Sequence, residues 1–271
     1  MSILDKIIAH KHLEVQARKA QVPVSDLERS ALFSVPARSL SASLQDPAKS
    51  AIITEFKRKS PSKGVINGEV SVKEVTMGYA AAGSSGLSVL TDGHFFGGSM
   101  EDLLEARRWN DIPILRKDFV VEEYQVLEAK AIGADAVLLI AACLDSRRLR
   151  ALAELAGSLG MEVLMEVHDR EELGHYNPFV HLVGVNNRNL KTMEVSVQTS
   201  FDLFDAIPSG VPAVSESGID DPAVIVSLKQ LGYQGFLMGE YFMKHAVPQD
   251  ACRAFIQEVK RLEDLTNHAI A

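Results

Sequence analysis

Short apolar segments alternate with amphipathic segments along most of this chain. Eight segments of four to six residues are rich in Val, Ile and Leu and show little alternation of polar and apolar positions. Continuous apolar strands of this kind indicate a parallel sheet that is buried on both faces. The predicted strands cover residues 51–56, 86–90, 113–116, 136–141, 162–166, 182–185, 212–215 and 235–238.

Each predicted strand is followed by a segment in which apolar positions recur at helical spacing. Eight strand–helix units in this length predict an α/β fold, namely a (β/α)8 TIM barrel. A doubly wound open sheet is the alternative. A Gly-rich fingerprint after the first strand would favour it, and residues 55–60 do not contain one. The predicted helices cover residues 70–82, 100–109, 122–132, 146–159, a short stretch from 169, 200–206, 222–231 and 249–262.

Two further helices are predicted before the first strand, at residues 2–20 and 40–44. We therefore expect one barrel domain over residues 1–271, of which residues 1 to about 45 form an N-terminal helical extension. Because a barrel closes without such helices, we expect the extension to lie over the active-site face.

Polar side chains stand at the carboxyl ends of six predicted strands, which is where barrel enzymes carry their active sites. Taken singly, each has a simpler interpretation: residues 57–59 are typical of a solvated charge run, and Lys117 beside Asp118 of a surface ion pair. His168 and Asp169 are interpreted as the start and cap of a helix. The recurrence predicts one shared polar cavity, with these candidate residues: Glu55, Lys57, Ser60, Lys117, Glu166, Asn186, Arg188, Glu216, Ser217, Gly218, Gly239 and Glu240.

Three of these residues, Lys57, Lys117 and Arg188, supply positive charge for an anion. Gly218 and Gly239 follow the last two strands, where barrels hold phosphate on backbone N–H groups. The pattern predicts an enzyme for a small phosphorylated substrate that uses Lys and Glu as acid and base. No His, Cys and carboxylate cluster has metal-ligand spacing, and no nucleotide motif is present, so neither a metal nor a cofactor is predicted.

The net charge, the apolar runs and the cysteines bear on nucleic-acid binding, membrane insertion and cellular location. A net charge of -8 argues against nucleic-acid binding, which needs a basic surface. The N-terminus lacks the apolar core of a signal peptide and no apolar run is long enough to span a bilayer. Cys143 and Cys252 are expected to stay reduced. We expect a cytoplasmic protein without membrane or nucleic-acid partners, either a monomer or a weak homodimer.

Five sequence blocks in order resemble the indole-3-glycerol phosphate synthase family of tryptophan biosynthesis. They are FKRKSPSKG at 56–64, LRKDF at 115–119, MEVH at 165–168, GVNNR at 184–188 and SESGI at 215–219. The resemblance implies ring closure of 1-(2-carboxyphenylamino)-1-deoxyribulose 5-phosphate, with loss of carbon dioxide and water, to give indole-3-glycerol phosphate. Another phosphosugar barrel, such as an isomerase, is the alternative; it would carry a Cys and Asp pair at strand ends.

The resemblance also implies residue roles. Lys117 is expected to be the general acid for ring closure, and Lys57 the cation for substrate anions and an acid in dehydration. Glu166 is expected to be the acid–base partner, with Glu55 tuning the lysines. Asn186 is expected to belong to the catalytic set by positioning the substrate. The remaining candidates are expected to bind substrate, with Phe96 and Phe119 flanking its aromatic ring: Ser60, Arg188, Glu216, Ser217, Gly218, Gly239 and Glu240.

Overall fold

Eight parallel strands form a closed barrel in the computed structural model, which describes residues 2–190 and 192–270. Every barrel strand pairs with its neighbours in parallel, and β1 pairs with both β4 and β10, which closes the ring. The predicted (β/α)8 barrel is confirmed and the open sheet is wrong. The strands are β1 (Ile52–Phe56), β4 (Gly86–Leu90), β5 (Ile114–Lys117), β6 (Ala136–Ile140), β7 (Glu162–Val167), β8 (Leu182–Asn186), β9 (Ala213–Glu216) and β10 (Gly235–Met238).

The helices follow the strands, as the sequence predicts, and three short elements are added at the carboxyl ends of strands: the hairpin after β1, α5 (Gly93–Phe96) and α11 (Glu240–Met243). A hairpin of β2 (Lys59–Ser60) and β3 (Gly64–Val65) directly follows β1. The helices are α1 (Ile3–Gln21), α2 (Val24–Glu28), α3 (Leu40–Leu44), α4 (Val72–Ala81), α5 (Gly93–Phe96), α6 (Met100–Trp109), α7 (Glu123–Ala131), α8 (Ser146–Ser158), α9 (Gln198–Leu203), α10 (Pro222–Leu231), α11 (Glu240–Met243) and α12 (Pro248–Ile270).

Short elements account for most differences from the sequence-based expectations. The helix expected from residue 169 is a 3-10 turn at Glu172–His175, and α12 continues to Ile270 instead of ending near residue 262. Neither the β2–β3 hairpin nor α5 was predicted. Elements of two to four residues contain too few positions to show a hydrophobic period, so patterning does not detect them.

The strands are mostly apolar because their two faces pack in different layers. Ile53, Leu115, Leu164 and Val214 belong to a cluster inside the barrel. Neighbouring strand residues such as Ile52 belong to the larger cluster between the barrel and its helices. Burial of both faces explains why the strands show no polar alternation.

The N-terminal segment is divided between the two ends of the barrel. Three residues of α1 line the active-site cavity, namely Ile3, Leu4 and Ile7. By contrast, α3 packs into the barrel interior at the amino ends of the strands. A Cβ on Gly86, the first residue of β4, would lie 2.6 Å from Leu40 Cδ1. The N-terminal segment was expected to lie over the active-site face, but only its first helix, α1, lies at that face. The helix α3 instead covers the amino end of the barrel with apolar side chains.

This arrangement predicts that Leu40 is a core residue of the barrel. Leu40 is 0% exposed, so Leu40→Ala should lower the free energy of unfolding by ~2–5 kcal/mol. Leu13 on α1 is 66% exposed, and Leu13→Ala is the matched control, with an expected change within ~0.5 kcal/mol. Urea denaturation of both variants measures the difference. Equal stabilities would contradict the placement of α3.

Candidate active site

The fourteen predicted site residues all line one cavity of about 750 Å³ at the carboxyl ends of the strands. The strands and the loops that follow them contribute residues from every side of this cavity. Its lining includes Glu55, Lys57, Ser60, Phe96, Lys117, Phe119, Glu166, Asn186, Arg188, Glu216, Ser217, Gly218, Gly239 and Glu240. The sequence therefore predicted which side chains come together.

Lys117, the last residue of β5, lies between two carboxylates. Its Nζ is 2.9 Å from Glu166 Oε2 and 2.8 Å from Glu216 Oε2, and its side chain is 14% exposed. Burial alone would lower the pKa of Lys117, but the two carboxylates outweigh burial and hold that pKa above its ordinary value. Lys117 is therefore a charged ammonium at neutral pH.

The two carboxylates beside Lys117 differ in protonation. Burial raises the pKa of a carboxyl, but at Glu166 the charge of Lys117 together with His168 outweighs burial and holds the pKa below the ordinary range. Asn186 Nδ2 also donates a hydrogen bond to Glu166 Oε1 at 3.0 Å. At Glu216, burial raises the pKa to about 7, with the charge of Glu166 adding to the rise. Glu166 is thus ionised at neutral pH, while Glu216 titrates there.

The second lysine, Lys57, is held by a buried carboxylate of β1. Lys57 Nζ lies 2.6 Å from Glu55 Oε1, and Ser88 Oγ donates to Glu55 Oε2 at 3.4 Å. Gly239 provides room for this carboxylate, because a Cβ on Gly239 would lie 2.7 Å from both Cβ and Oε1 of Glu55. The absence of a side chain at Gly239 therefore serves Glu55, a reason that strand-end position alone did not reveal.

One wall of the cavity is aromatic and apolar. The rings of Phe96 and Phe119 have centroids 5.8 Å apart, and the α1 residues complete the wall. Asp92 accepts hydrogen bonds from the backbone N–H groups of Phe95 and Phe96, while Asp118 accepts one from Phe119 N. Both rings are therefore placed by carboxylates in the loops that follow β4 and β5.

Lys11 of α1 joins these two loops and is 1% exposed. Its Nζ lies 2.9 Å from carboxylate oxygens of both Asp92 and Asp118. Burial opposes ionisation of Asp118, but Lys11 and Arg116 lower its pKa to about 2. The sequence analysis missed Lys11. A signal was present, since Ile7, Lys11 and Val15 recur every four residues on the buried face of α1.

The opposite side of the cavity is polar and built from loops. An Arg188 guanidinium nitrogen lies 3.3 Å from Glu240 Oε2, and Lys63 Nζ lies 3.6 Å from Glu240 Oε1. Ser217 and Gly218 both have positive φ, at 68° and 75°. Positive φ is uncommon for a residue with a Cβ such as Ser217, which marks this turn as a constrained feature.

Asn187 holds that turn, although the sequence analysis had selected only the residues on either side of it. Its Nδ2 donates to Ser217 O at 3.0 Å and to Ser215 Oγ at 3.1 Å. Its Oδ1 accepts hydrogen bonds from N and Oγ of Ser200 in α9. Asn187 is buried and positions the loop after β9.

His168 has a different place from the one that its sequence context predicts. Instead of starting a helix, it follows β7 with Nε2 3.4 Å from Glu166 Oε1 and Nδ1 3.0 Å from Glu172 Oε2. Sequence analysis also missed further lining residues from the loops: Lys63, Leu190, Met193, Val195 and Lys244. Residues far apart in the loops converge only after folding, so spacing gave no signal for them.

A family model described as indole-3-glycerol phosphate synthase matches residues 4–255. The chain belongs to the indole-3-glycerol phosphate synthase family. A protein of that name from Bacteroides thetaiotaomicron is 46% identical over 259 residues, covering 95% of this chain and 99% of the relative. The protein of that name from Chromobacterium violaceum is 45% identical, covering 92% of this chain and 96% of the relative. The one from Polaromonas sp. is 43% identical, covering 91% of this chain and 95% of the relative.

The family match extends from α1 into α12 and therefore includes every sequence block that carried the resemblance. All five blocks contribute residues to the lining of the 750 Å³ cavity. The residues that carry the family resemblance therefore meet in this cavity. Within residues 2–190 and 192–270, no group of three or more His, Cys, Asp or Glu side chains is arranged to hold a metal ion. Across the same residues, no helix combines the length and apolarity needed to cross a membrane.

The contact between Gly184 and Glu216 gives a test of this geometry. A Cβ on Gly184 would lie 2.1 Å from Glu216 Oε1, so Gly184→Ala should push that carboxylate away from Lys117. Overpacking of this kind costs about 1–3 kcal/mol, and we expect kcat to fall about tenfold or more. Gly157→Ala is the matched control, because an added Cβ there meets no atom within 4 Å. Wild-type kcat in Gly184→Ala would contradict the proposed contact.

Proposed function

We propose that this chain converts 1-(2-carboxyphenylamino)-1-deoxyribulose 5-phosphate to indole-3-glycerol phosphate, carbon dioxide and water, as a step of tryptophan biosynthesis. The observation that carries the residue assignment is a charged lysine between two buried carboxylates, in a cavity with one apolar wall and one polar wall. A substrate with an aromatic ring at one end and a phosphate at the other matches those two walls.

The apolar wall would receive the aromatic ring of the substrate. Phe96 and Phe119 present ring faces and edges, and Ile7 of α1 adds aliphatic surface. At the other wall, backbone N–H groups of Gly218, Gly239 and Glu240 would bind phosphate. Arg188 and Ser217 line the same side and would orient the sugar and phosphate, with Ser60 completing the pocket near the β2–β3 hairpin.

Ring closure needs a proton at the ketone oxygen of the sugar. The ring carbon that bears the carboxylate attacks the ketone carbon, and negative charge develops on the oxygen. Lys117 would donate the proton, since it is charged before the step and an alkoxide is far more basic than an amine. Although its pKa is raised, donation to such an oxygen remains favourable. Loss of carbon dioxide then restores the aromatic ring.

Dehydration needs an acid for the leaving hydroxyl and a base for the hydrogen of the new five-membered ring. Lys57 would protonate the hydroxyl, and Glu55, 2.6 Å from its Nζ, would hold the ammonium in place. Glu166 would accept the ring proton because it is the ionised carboxylate of the pair. Asn186 would hold Glu166 in place through its hydrogen bond to Oε1.

The phosphorylated small-molecule substrate follows from family membership. We also propose that the protein is a monomer or a weak homodimer in the cytoplasm.

Lys117 is the residue whose substitution tests the reaction most directly. Lys117→Ala removes the ammonium, and Lys117→Arg retains the charge on a larger planar group that places its donors differently from a compact ammonium. We expect kcat for indole-3-glycerol phosphate formation to fall by about 10² or more in both, with a smaller change in affinity for a substrate analogue. Lys260→Ala on the exposed surface of α12 is the control. Normal turnover by Lys117→Arg would transfer the acid role to another residue.

Glu166→Gln tests the acid–base partner separately. The amide keeps the shape and removes the charge that Lys117 contacts, so kcat should fall by about 10² or more. Single-turnover measurement of product formation distinguishes a slow chemical step from slow release. Turnover near the wild-type rate would mean that Glu166 only supports Lys117 structurally.

A further inference from the structure

Two carboxylates share Lys117, and the lysine itself does not distinguish between them. The distances from its Nζ, 2.9 Å to Glu166 and 2.8 Å to Glu216, are nearly equal. Two buried carboxylates at one site resist ionising together, because like charges disfavour each other. One of them must therefore take up a proton first, and a group beyond Lys117 must decide which.

The far sides of the two carboxylates differ. Glu166 Oε1 accepts a hydrogen bond from Asn186 and lies 3.4 Å from His168 Nε2. Glu216 Oε1 is buried and has no hydrogen-bond partner among the described residues. Asn186 is neutral, so His168 is the neighbour that can add positive charge to one carboxylate and not to the other.

The position of His168 favours its protonated form. Its Nδ1 lies 3.0 Å from Glu172 Oε2, which also accepts a hydrogen bond from the His168 backbone N–H at 2.7 Å. Nδ1 is within hydrogen-bond geometry of Glu172, whereas Nε2 lies 3.4 Å from Glu166 Oε1 and makes no hydrogen bond among the described residues. The negative charge of both carboxylates favours the protonated ring. Burial lowers the pKa of His168, but Glu166 and Glu172 outweigh burial and raise it to about 10.

Other titratable groups around this histidine do not reverse that preference. Cys143 lies in the 3-10 turn next to Glu172, and burial raises the pKa of its thiol, which keeps it neutral. On the side of Glu166, Lys117 is a cation that the two carboxylates already share, and Glu55 is paired with Lys57.

We propose that His168 is a positioning residue, held by Glu172, that keeps the negative charge on Glu166 and leaves Glu216 as the carboxylate that takes up the proton. The consequence for catalysis rests on the proposed function, in which Glu166 must be ionised to accept a proton. His168 acts through Glu166 and needs no contact with the substrate.

The charge of His168 is directly measurable in the whole protein. Imidazole 15N chemical shifts, followed against pH, report the protonation of each histidine, and His168→Gln assigns the signal by its loss. We expect His168 to be doubly protonated at pH 8, where an ordinary histidine with a pKa of about 6.5 is neutral. Loss of its proton near pH 6.5 would overturn the proposal. This measurement requires no turnover, so it is independent of the reaction assigned above.

The kcat–pH profile tests the effect on Glu166. Without the imidazolium, the pKa of Glu166 rises, so the carboxylate becomes protonated at higher pH. In His168→Gln the acid limb of kcat should therefore move up by about 1–3 pH units, with recovery toward the wild-type rate at high pH. Glu172→Gln should move the limb in the same direction by less, because the imidazolium loses one of its two carboxylates.

His12→Gln is the matched control, since His12 is exposed on α1, and its profile should coincide with that of the wild type. A His168→Gln profile that also coincides with the wild type would overturn the proposal. If His168→Gln does not fold, the Glu172→Gln profile decides it. A wild-type protein that forms no indole-3-glycerol phosphate would instead contradict the proposed function.

Discussion

The structure depends on a cation and two carboxylates placed where apolar strands end. Removing a charge from water is costly unless it is paired, and Lys117 is paired on two sides at distances below 3 Å. Those partners come from β7, which is two strands from β5 around the ring, and from β9, which lies opposite β5. The closed barrel is thus the condition for the lysine to stay charged in a buried site.

The same constraint recurs at the rim of the barrel. Lys11 is buried between Asp92 and Asp118, and each of these carboxylates also binds backbone N–H groups beside an aromatic ring of the cavity. A helix that precedes the barrel is therefore tied to the loops that hold the aromatic wall. Removing one partner would leave a buried, uncompensated charge, which is more costly than losing an exposed pair.

The helices of the N-terminal segment pack at opposite ends of the barrel. Leu40 and Leu44 of α3 fill the amino end with apolar side chains, while α1 contributes to the cavity at the carboxyl end. Stability and substrate binding are thus separated in space, although the helices responsible are neighbours along the chain.

The sequence by itself determined the barrel and its polar cavity, because eight doubly buried strands give eight apolar segments and the carboxyl ends of parallel strands meet at one end. The sequence did not determine which residues of the cavity contact one another. Lys117 and Glu216 are ninety-nine residues apart, and only closure of the ring makes them neighbours. Likewise the positions of Asn187 and His168 follow from contacts of loop residues that no periodicity records. Charge state depends on burial and on partners at a few ångströms, so tertiary structure alone decided which carboxylate is ionised.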